Sequence, residues 1–258
     1  MRVTILGCGS SSGVPGVGLG WGKCDPDNPK NRRLRPSILI ETAAERILVD
    51  TSPDLREQLL RANVTRLDGI VYTHPHADHL HGIDDLRGIN RAMDAPLPVY
   101  ADANTIEHIQ TRFAYTLEPL PETATVYYKP TLIAHEITSG RSFSIGETEI
   151  QTVDQDHGYS RTLGFRFGPF AYSTDLVEMN EAAFEMVAGV DTWIIGTFTD
   201  RPHMTHCHVE KVLGWIDRVK PRRTVLTHLG ADLDYDNLSR QLPDNVIVAF
   251  DGMSLEAP

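Results

Sequence analysis

Apolar residues along this chain fall into short runs, many of them alternating with polar positions and rich in Val, Ile, Thr or aromatics. That pattern predicts strands over residues 3–6, 37–40, 47–49, 69–72, 98–100, 131–137, 148–153, 163–167, 171–173, 192–195, 224–226 and 245–249. Helical spacing appears over 53–62, 104–112, 180–187, 205–219 and 233–242. Pro53 fits the first turn of its helix, with Ser52 as the cap. Strands dominate early and the two types mix later, without a regular βαβ alternation. The expected class is therefore α/β, with two mixed sheets and helices outside them, four layers in all. No internal repeat, low-complexity tract or long linker divides the chain, so a single domain is expected over 1–258.

Hydrophobic content is 41% and charged content 23%, as in soluble globular proteins. No apolar stretch is long enough to span a bilayer, which excludes a membrane partner. The opening Met1-Arg2-Val3-Thr4-Ile5-Leu6 reads as a strand and not as a signal peptide. Cys8, Cys24 and Cys207 are odd in number and scattered, which argues for a reducing cytoplasm. A formal charge of −11 opposes long nucleic acid as an obligatory partner. It does not oppose a small anion at a metal centre, because bound divalent ions add local positive charge. A homodimer is compatible with everything in the sequence.

The chemistry concentrates in Thr73-His74-Pro75-His76-Ala77-Asp78-His79, directly after an apolar run. Pro75 keeps His74 out of helical geometry, placing the motif on an extended loop at a strand end. Residues two apart then project the same way, so His74 and His76 can hold one ion. The chain turns, and Asp78 and His79 can face a second. Further candidates stand at the ends of later strands: His157, Asp175 and His228. Together these seven residues suffice for two divalent ions, with Asp175 bridging and room left for water. Histidine-rich ligation favours zinc by affinity; manganese is the other candidate, since availability and geometry decide in the cell.

On these residues the chain resembles the metallo-β-lactamase fold superfamily. The match comprises the HxHxDH motif at 74–79, the downstream His157, Asp175 and His228, and Asp50 upstream. The resemblance implies an αβ/βα sandwich with a di-metal cleft at one edge. It also implies that Asp50 hydrogen-bonds the histidine loop and does not ligate metal. The glycine- and serine-rich stretch 7–15, the Thr205-His206-Cys207 segment and the terminal Phe250-Asp251-Gly252-Met253 resemble the branch containing the phosphodiesterase of phosphonate breakdown, which opens a cyclic ribose phosphate. By that likeness His206 is the general acid, and catalysis is assigned to His206 and Asp78. One departure is plain. Close members of the branch carry a structural zinc on several cysteines plus a histidine; here only Cys24 is present, and Ala231 stands at the histidine's place. No structural zinc is expected.

The first loop also mimics a dinucleotide loop and a G-x-S-x-G elbow. Both need a helix to begin there, which Pro15, Gly16, Gly18 and Gly20 oppose. A substrate-facing loop beside the metals, with Ser11 and Ser12 as contacts, is the better reading. His203 is either a phosphate contact or a surface residue.

The expected function is hydrolysis of a small phosphodiester, cyclic or nucleotide-like, by metal-activated water with His206 as acid. The alternatives are a tRNA 3′-end processing endonuclease, another hydrolase of the fold acting on lactams or thioesters, and a non-catalytic cofactor-biosynthesis partner protein.

Overall fold

Neighbouring residues of a strand point to opposite faces, so an unbroken apolar run such as Ile38-Leu39-Ile40 needs cover on both sides. The computed structural model, which describes residues 1–257, provides that cover with two seven-stranded sheets and helices outside them. The strands are β1 (Arg2–Gly7), β2 (Ser37–Glu41), β3 (Arg46–Val49), β4 (Gly69–Val71), β5 (Leu97–Ala101), β6 (Leu132–Glu136) and β7 (Phe143–Ile145). They continue as β8 (Thr148–Asp156), β9 (Arg161–Phe167), β10 (Phe170–Ser173), β11 (Thr192–Gly196), β12 (Arg223–Thr227), β13 (Val246–Val248) and β14 (Ser254–Glu256). One sheet has the order β14-β1-β2-β3-β4-β5-β6, the other β13-β12-β11-β10-β9-β8-β7. Each begins antiparallel and turns parallel, from β3 onward in the first and from β10 onward in the second. This is the four-layer α/β sandwich that the apolar pattern implied.

Burial follows the alternation. Ile38, Ile40, Ile47 and Val49 point inward and meet Phe165, Phe167, Trp193 and Ile195 of the facing sheet. Leu39, Leu48, Ile70 and Tyr72 point outward and are covered by Leu55, Leu59, Ile89 and Ile109 of the helices Leu55–Arg61, Leu86–Met93 and Ala103–Arg112. Among the described residues, no helix is long and apolar enough to cross a membrane.

Some local expectations need correction. β7 and β14 were not legible, being three residues each and defined by their partners: β14 by Val3 against Leu255, β7 by Phe143 against Ile150. The helix Leu86–Met93, with Gly88 inside it, was also not expected. The helix expected from Pro53 begins at Leu55, and Ser52 does not cap it. The Ser52 hydroxyl instead donates to Gln58 Oε1 (3.0 Å). The helix expected from Thr205 begins at Val209. Phe198 N–H donates to the Cys207 carbonyl (2.9 Å) and Val209 N–H to the Thr199 carbonyl (3.1 Å), so residues 207–209 are tied to 198–199 and the bend over 204–206 stays outside the helix. The last helix shrinks to Tyr235–Ser239, capped by Asp234, whose carboxylate accepts from Asn237 N–H at 2.9 Å.

The first loop opens no helix. A Cβ on Gly7 would lie 2.0 Å from the Arg35 carbonyl oxygen, so glycine there serves a close backbone crossing. The terminal segment has a matching role: the half-buried Asp251 carboxylate accepts from Cys8 N–H (3.0 Å) and Leu34 N–H (2.7 Å) and pins the loop's two flanks together.

Phe165 is fully buried between the sheets. Phe165→Ala should lower the free energy of unfolding by about 3–5 kcal/mol in a denaturant titration, from lost burial and the cavity left behind.

Candidate metal centre

Four strand ends meet at one rim of the sandwich. β4 leads into His74, His76, Asp78 and His79; β8 into His157; β10 into Asp175; β12 into His228. The turn after His76 is a single helical turn, Ala77–Leu80, with His76 at its N-cap in extended conformation. This reverses the chain, so His74 and His76 face one way while Asp78 and His79 face another.

Two groups of ligand atoms result. His74, His76 and His157 form one, and Asp78, His79, Asp175 and His228 the other, with the donor atoms of each group within 4.8 Å of one another. His74 Nε2 lies 2.9 Å from His76 Nδ1. Asp175 stands between the groups: Oδ2 is 3.0 Å from His79 Nε2, and Oδ1 is 3.2 Å from His228 Nε2 and 3.8 Å from His157 Nε2. Asp78 Oδ2 lies 3.4 Å from His79 Nε2 and 3.5 Å from His228 Nε2. The buried Nε2 atoms of His79 and His228 have no hydrogen-bond partner. Burying a polar atom unpaired is unfavourable, and a cation satisfies these lone pairs where a proton donor is missing. The donor set, imidazoles with two carboxylates, therefore fits divalent metal.

Backbone strain accompanies the convergence. Asp50 (φ 64°), Asp175 (φ 48°) and His228 (φ 55°) all take the left-handed region, at or just past the ends of β3, β10 and β12. Asp and His tolerate that region better than most residues, and such conformers cluster at functional sites because the surroundings over-determine them. A Cβ on Gly196 would lie 3.1 Å from Asp175 N, so β11 passes close beneath this turn.

Each of several ligands is oriented from behind. Asp50 is fully buried and accepts from Thr73 N–H (2.8 Å), Thr73 Oγ1–H (2.8 Å) and His79 Nδ1–H (2.6 Å). Because Thr73 spends its proton on Asp50, its oxygen accepts from His74 Nδ1–H at 3.0 Å. One carboxylate thus turns the Nε2 of both His74 and His79 toward the centre. His157 Nδ1–H donates to the Thr205 carbonyl (2.7 Å), freeing its own Nε2. The Thr174 hydroxyl donates to Asp175 Oδ2 (2.6 Å). Thr73, Thr174 and Thr205 are contributors that motif reading passed over. Their signal was the threonine directly preceding His74, Asp175 and His206.

Charges in the cluster shift together. Burial pushes the Asp175 carboxyl up, but the surrounding histidines, His228 first, hold it well below the usual carboxylate range. His79 is held well above the ordinary imidazole value: burial opposes its charged form, but Asp175, Asp78 and Asp50 outweigh that. His74 is pushed well down, by burial first and then by His79. The carboxylates of Asp78 and Asp175, both held below the usual carboxylate range, make the pocket a negative recess, which suits a cation.

The remaining candidates lie around the rim. His206 is 17% exposed, with Nδ1 3.7 Å from Asp175 Oδ1, its ring stacked on His228 at 4.9 Å and edge-on to His157 at 4.8 Å. With His157 and Asp175 it makes a third ligand group, so its position serves either proton transfer or metal binding. Burial, then His228, pushes its pKa down to about 3. His203 is exposed, its ring 5.4 Å from that of His206. Ser11 and Ser12 are exposed just past Ser10, whose N–H donates to the carbonyl of Leu229, the residue after His228 (3.2 Å). At the sequence departure after the first loop, the residues do not fit a metal cage. The Cys24 thiol faces the Ala231 and Leu233 carbonyls at 3.4 and 3.5 Å, and the Arg33 guanidinium, already a cation, lies 3.9 Å from its sulfur.

Comparison with known proteins agrees with this geometry. A family model described as a Beta-lactamase superfamily domain matches residues 45–229. A solved structure described as a new diphosphatase from the PhnP family is 33% identical, with a TM-score of 0.90 over 100% of this chain and 98% of that one. An octanoyltransferase of Porphyromonas gingivalis is 32% identical over 257 residues, 98% of this chain but 51% of that protein. A ribonuclease Z of Bradyrhizobium diazoefficiens is 45% identical over 60 residues, 22% of this chain and 20% of that protein. The chain thus spans about half the length, or less, of these curated relatives.

Removing Asp50 takes away the orienting partner of two imidazoles. Asp50→Ala should weaken zinc binding about 10–100-fold in a buffered-zinc competition titration, with the fold retained by circular dichroism.

Proposed function

The chain belongs to the beta-lactamase superfamily, in its PhnP-like branch, and from that premise we propose that it is a metal-dependent hydrolase of a small phosphodiester. The observation that carries this reading is the pair of ligand groups joined by Asp175. His74, His76 and His157 would hold one divalent ion; Asp78, His79 and His228 the other, with Asp175 shared. Such ions, zinc or manganese, would supply Lewis acidity and a water acidic enough to be ionised near neutral pH.

The protein's own groups do the rest. Asp78 and Asp175 keep the recess negative and the ions close. Asp50, through Thr73 and His79, keeps the imidazoles in the tautomer that presents Nε2. His206, whose Nδ1 lies 3.7 Å from Asp175 Oδ1 at the rim of the ligand cluster, would protonate the leaving oxygen, a contribution of roughly 10²–10⁴ in rate. Burial and the neighbouring His228 disfavour its charged form, and an anionic phosphate beside it would favour that form. The exposed Ser11 and Ser12, on a loop tied to the His228 turn, and His203 beside His206 would contact the non-reacting oxygens.

Two relatives point elsewhere, and each is outweighed. The ribonuclease Z likeness covers 22% of the chain, and a charge of −11 opposes a long RNA. Acyl transfer through a thiol would need an accessible, acidic cysteine, but Cys8, Cys24 and Cys207 are buried with their thiols pushed up, by burial first.

The reading is tested with bis-p-nitrophenyl phosphate, then with cyclic and linear ribose diesters, on protein loaded with zinc or manganese. Chelation should abolish turnover and added metal restore it; turnover untouched by chelation sinks the proposal. His206→Ala should lower kcat by about 10²–10⁴ with both ions still bound by elemental analysis. Loss of an ion would make His206 a ligand. Asp175→Ala should remove metal and activity together.

A further inference from the structure

The ligand rings are not all held in the same manner. His74, His79 and His157 each donate Nδ1–H to a partner behind them. His228 does not: both of its ring nitrogens are buried and make no hydrogen bond. Its backbone is also in the left-handed region, a conformation that persists only where neighbours enforce it. Ring stacking on His206 (4.9 Å) and His79 (5.9 Å) limits the tilt of the imidazole, but it does not set where the backbone carries it.

The enforcing contacts come from the loop just beyond. Arg33 is only 2% exposed, and its guanidinium is spent on that loop. Nη1 donates to the Gly230 carbonyl (3.2 Å) and Nη2 to the Leu233 carbonyl (2.7 Å). Nη2 also donates to Asn31 Oδ1 (3.2 Å), and Asn31 is itself fixed, its Nδ2 donating to Asp234 Oδ2 at 2.7 Å. Arg33 forms no ion pair with a carboxylate among the described residues; its partners are carbonyls, an amide and a thiol. A buried cation without a counter-ion is unfavourable for folding and weak evidence for stability. What it supplies is geometry: a rigid fork gripping carbonyls two and five residues past His228. Gly230 N–H donates in turn to the Phe198 carbonyl (2.9 Å), and Leu229 N–H to the Cys8 carbonyl (2.7 Å). The His228 turn is therefore clamped from the first loop, through side chain and backbone at once.

We propose that Arg33 is a positioning residue for the metal centre: its buried guanidinium holds the 229–233 loop so that the otherwise unanchored His228 presents Nε2 to the ion shared with Asp78, His79 and Asp175. The inference rests on the metal-centre reading above. It predicts an asymmetric loss. Without the fork, His228 gains freedom that the ion must remove on binding, whereas the His74, His76 and His157 group keeps its own anchors.

The test is a buffered-zinc titration of the full chain with bound zinc counted by elemental analysis. The wild type should bind two ions. Arg33→Met, which keeps the bulk and removes the fork, should weaken one ion by about tenfold or more and leave the other at wild-type affinity, matching the pattern of His228→Ala. Should Arg33→Met not fold, Arg33→Lys retains the charge without the fork and should show the same one-ion loss to a smaller degree. Two ions at wild-type affinity in the folded variant, or equal weakening of both, overturns the role of Arg33. A wild type that binds no zinc or manganese overturns the metal-centre reading instead.

Discussion

The centre depends on a buried carboxylate that belongs to neither ligand group. Asp50 lies at the end of β3 with no exposure, and three hydrogen bonds converge on it from Thr73 and His79. A charge in that position is tolerable only because every lone pair it directs inward is met. Through those bonds it fixes the tautomer of two imidazoles and the path of the loop between them. Metal-binding capacity in the 74–79 motif is a property of residue types; its orientation is a property of Asp50.

The sandwich explains why so many polar side chains can gather at one rim. Most strands of both sheets pack apolar residues into the core, and the ligand side chains stand just past the strand ends. The parallel portions, β3 to β6 and β10 to β13, direct successive strand ends to the same side. Ligands one per strand end then meet without any distortion of the sheets. The distortion is confined to Asp50, Asp175 and His228, each in a left-handed turn. Residues that leave a strand in that conformation point back over its end and not onward into solvent.

Similarity and geometry cover different ground. The match to the diphosphatase of the PhnP family extends over the whole chain and carries fold and branch. The octanoyltransferase match leaves about half of that protein uncovered, so its activity says little about this chain. Chemistry at the ligand cluster is constrained further by what surrounds it. Thiols are buried away from the recess, and an arginine fills the place beside Cys24 where the sequence departs from its branch.

The sequence by itself determined twelve of the fourteen strands and the residues with ligand chemistry, because apolar alternation and histidine spacing are local, and it suggested four layers without settling them. Histidine spacing already separated His74 and His76 from Asp78 and His79; only tertiary structure decided where His157, Asp175 and His228 join them. The split of His74, His76 and His157 from Asp78, His79, Asp175 and His228 depends on a helical turn after His76 and on strands as far apart as 79 and 228. β7 and β14 were likewise invisible, since three-residue strands exist by virtue of a partner. His206 shows the same limit. Helical periodicity drew it into a helix, but residues 204–206 bend and 207–209 bond to 198–199, which leaves its ring edge-on to that of His157. Contacts between distant segments outweigh local propensity when they satisfy backbone groups that would otherwise be buried unpaired.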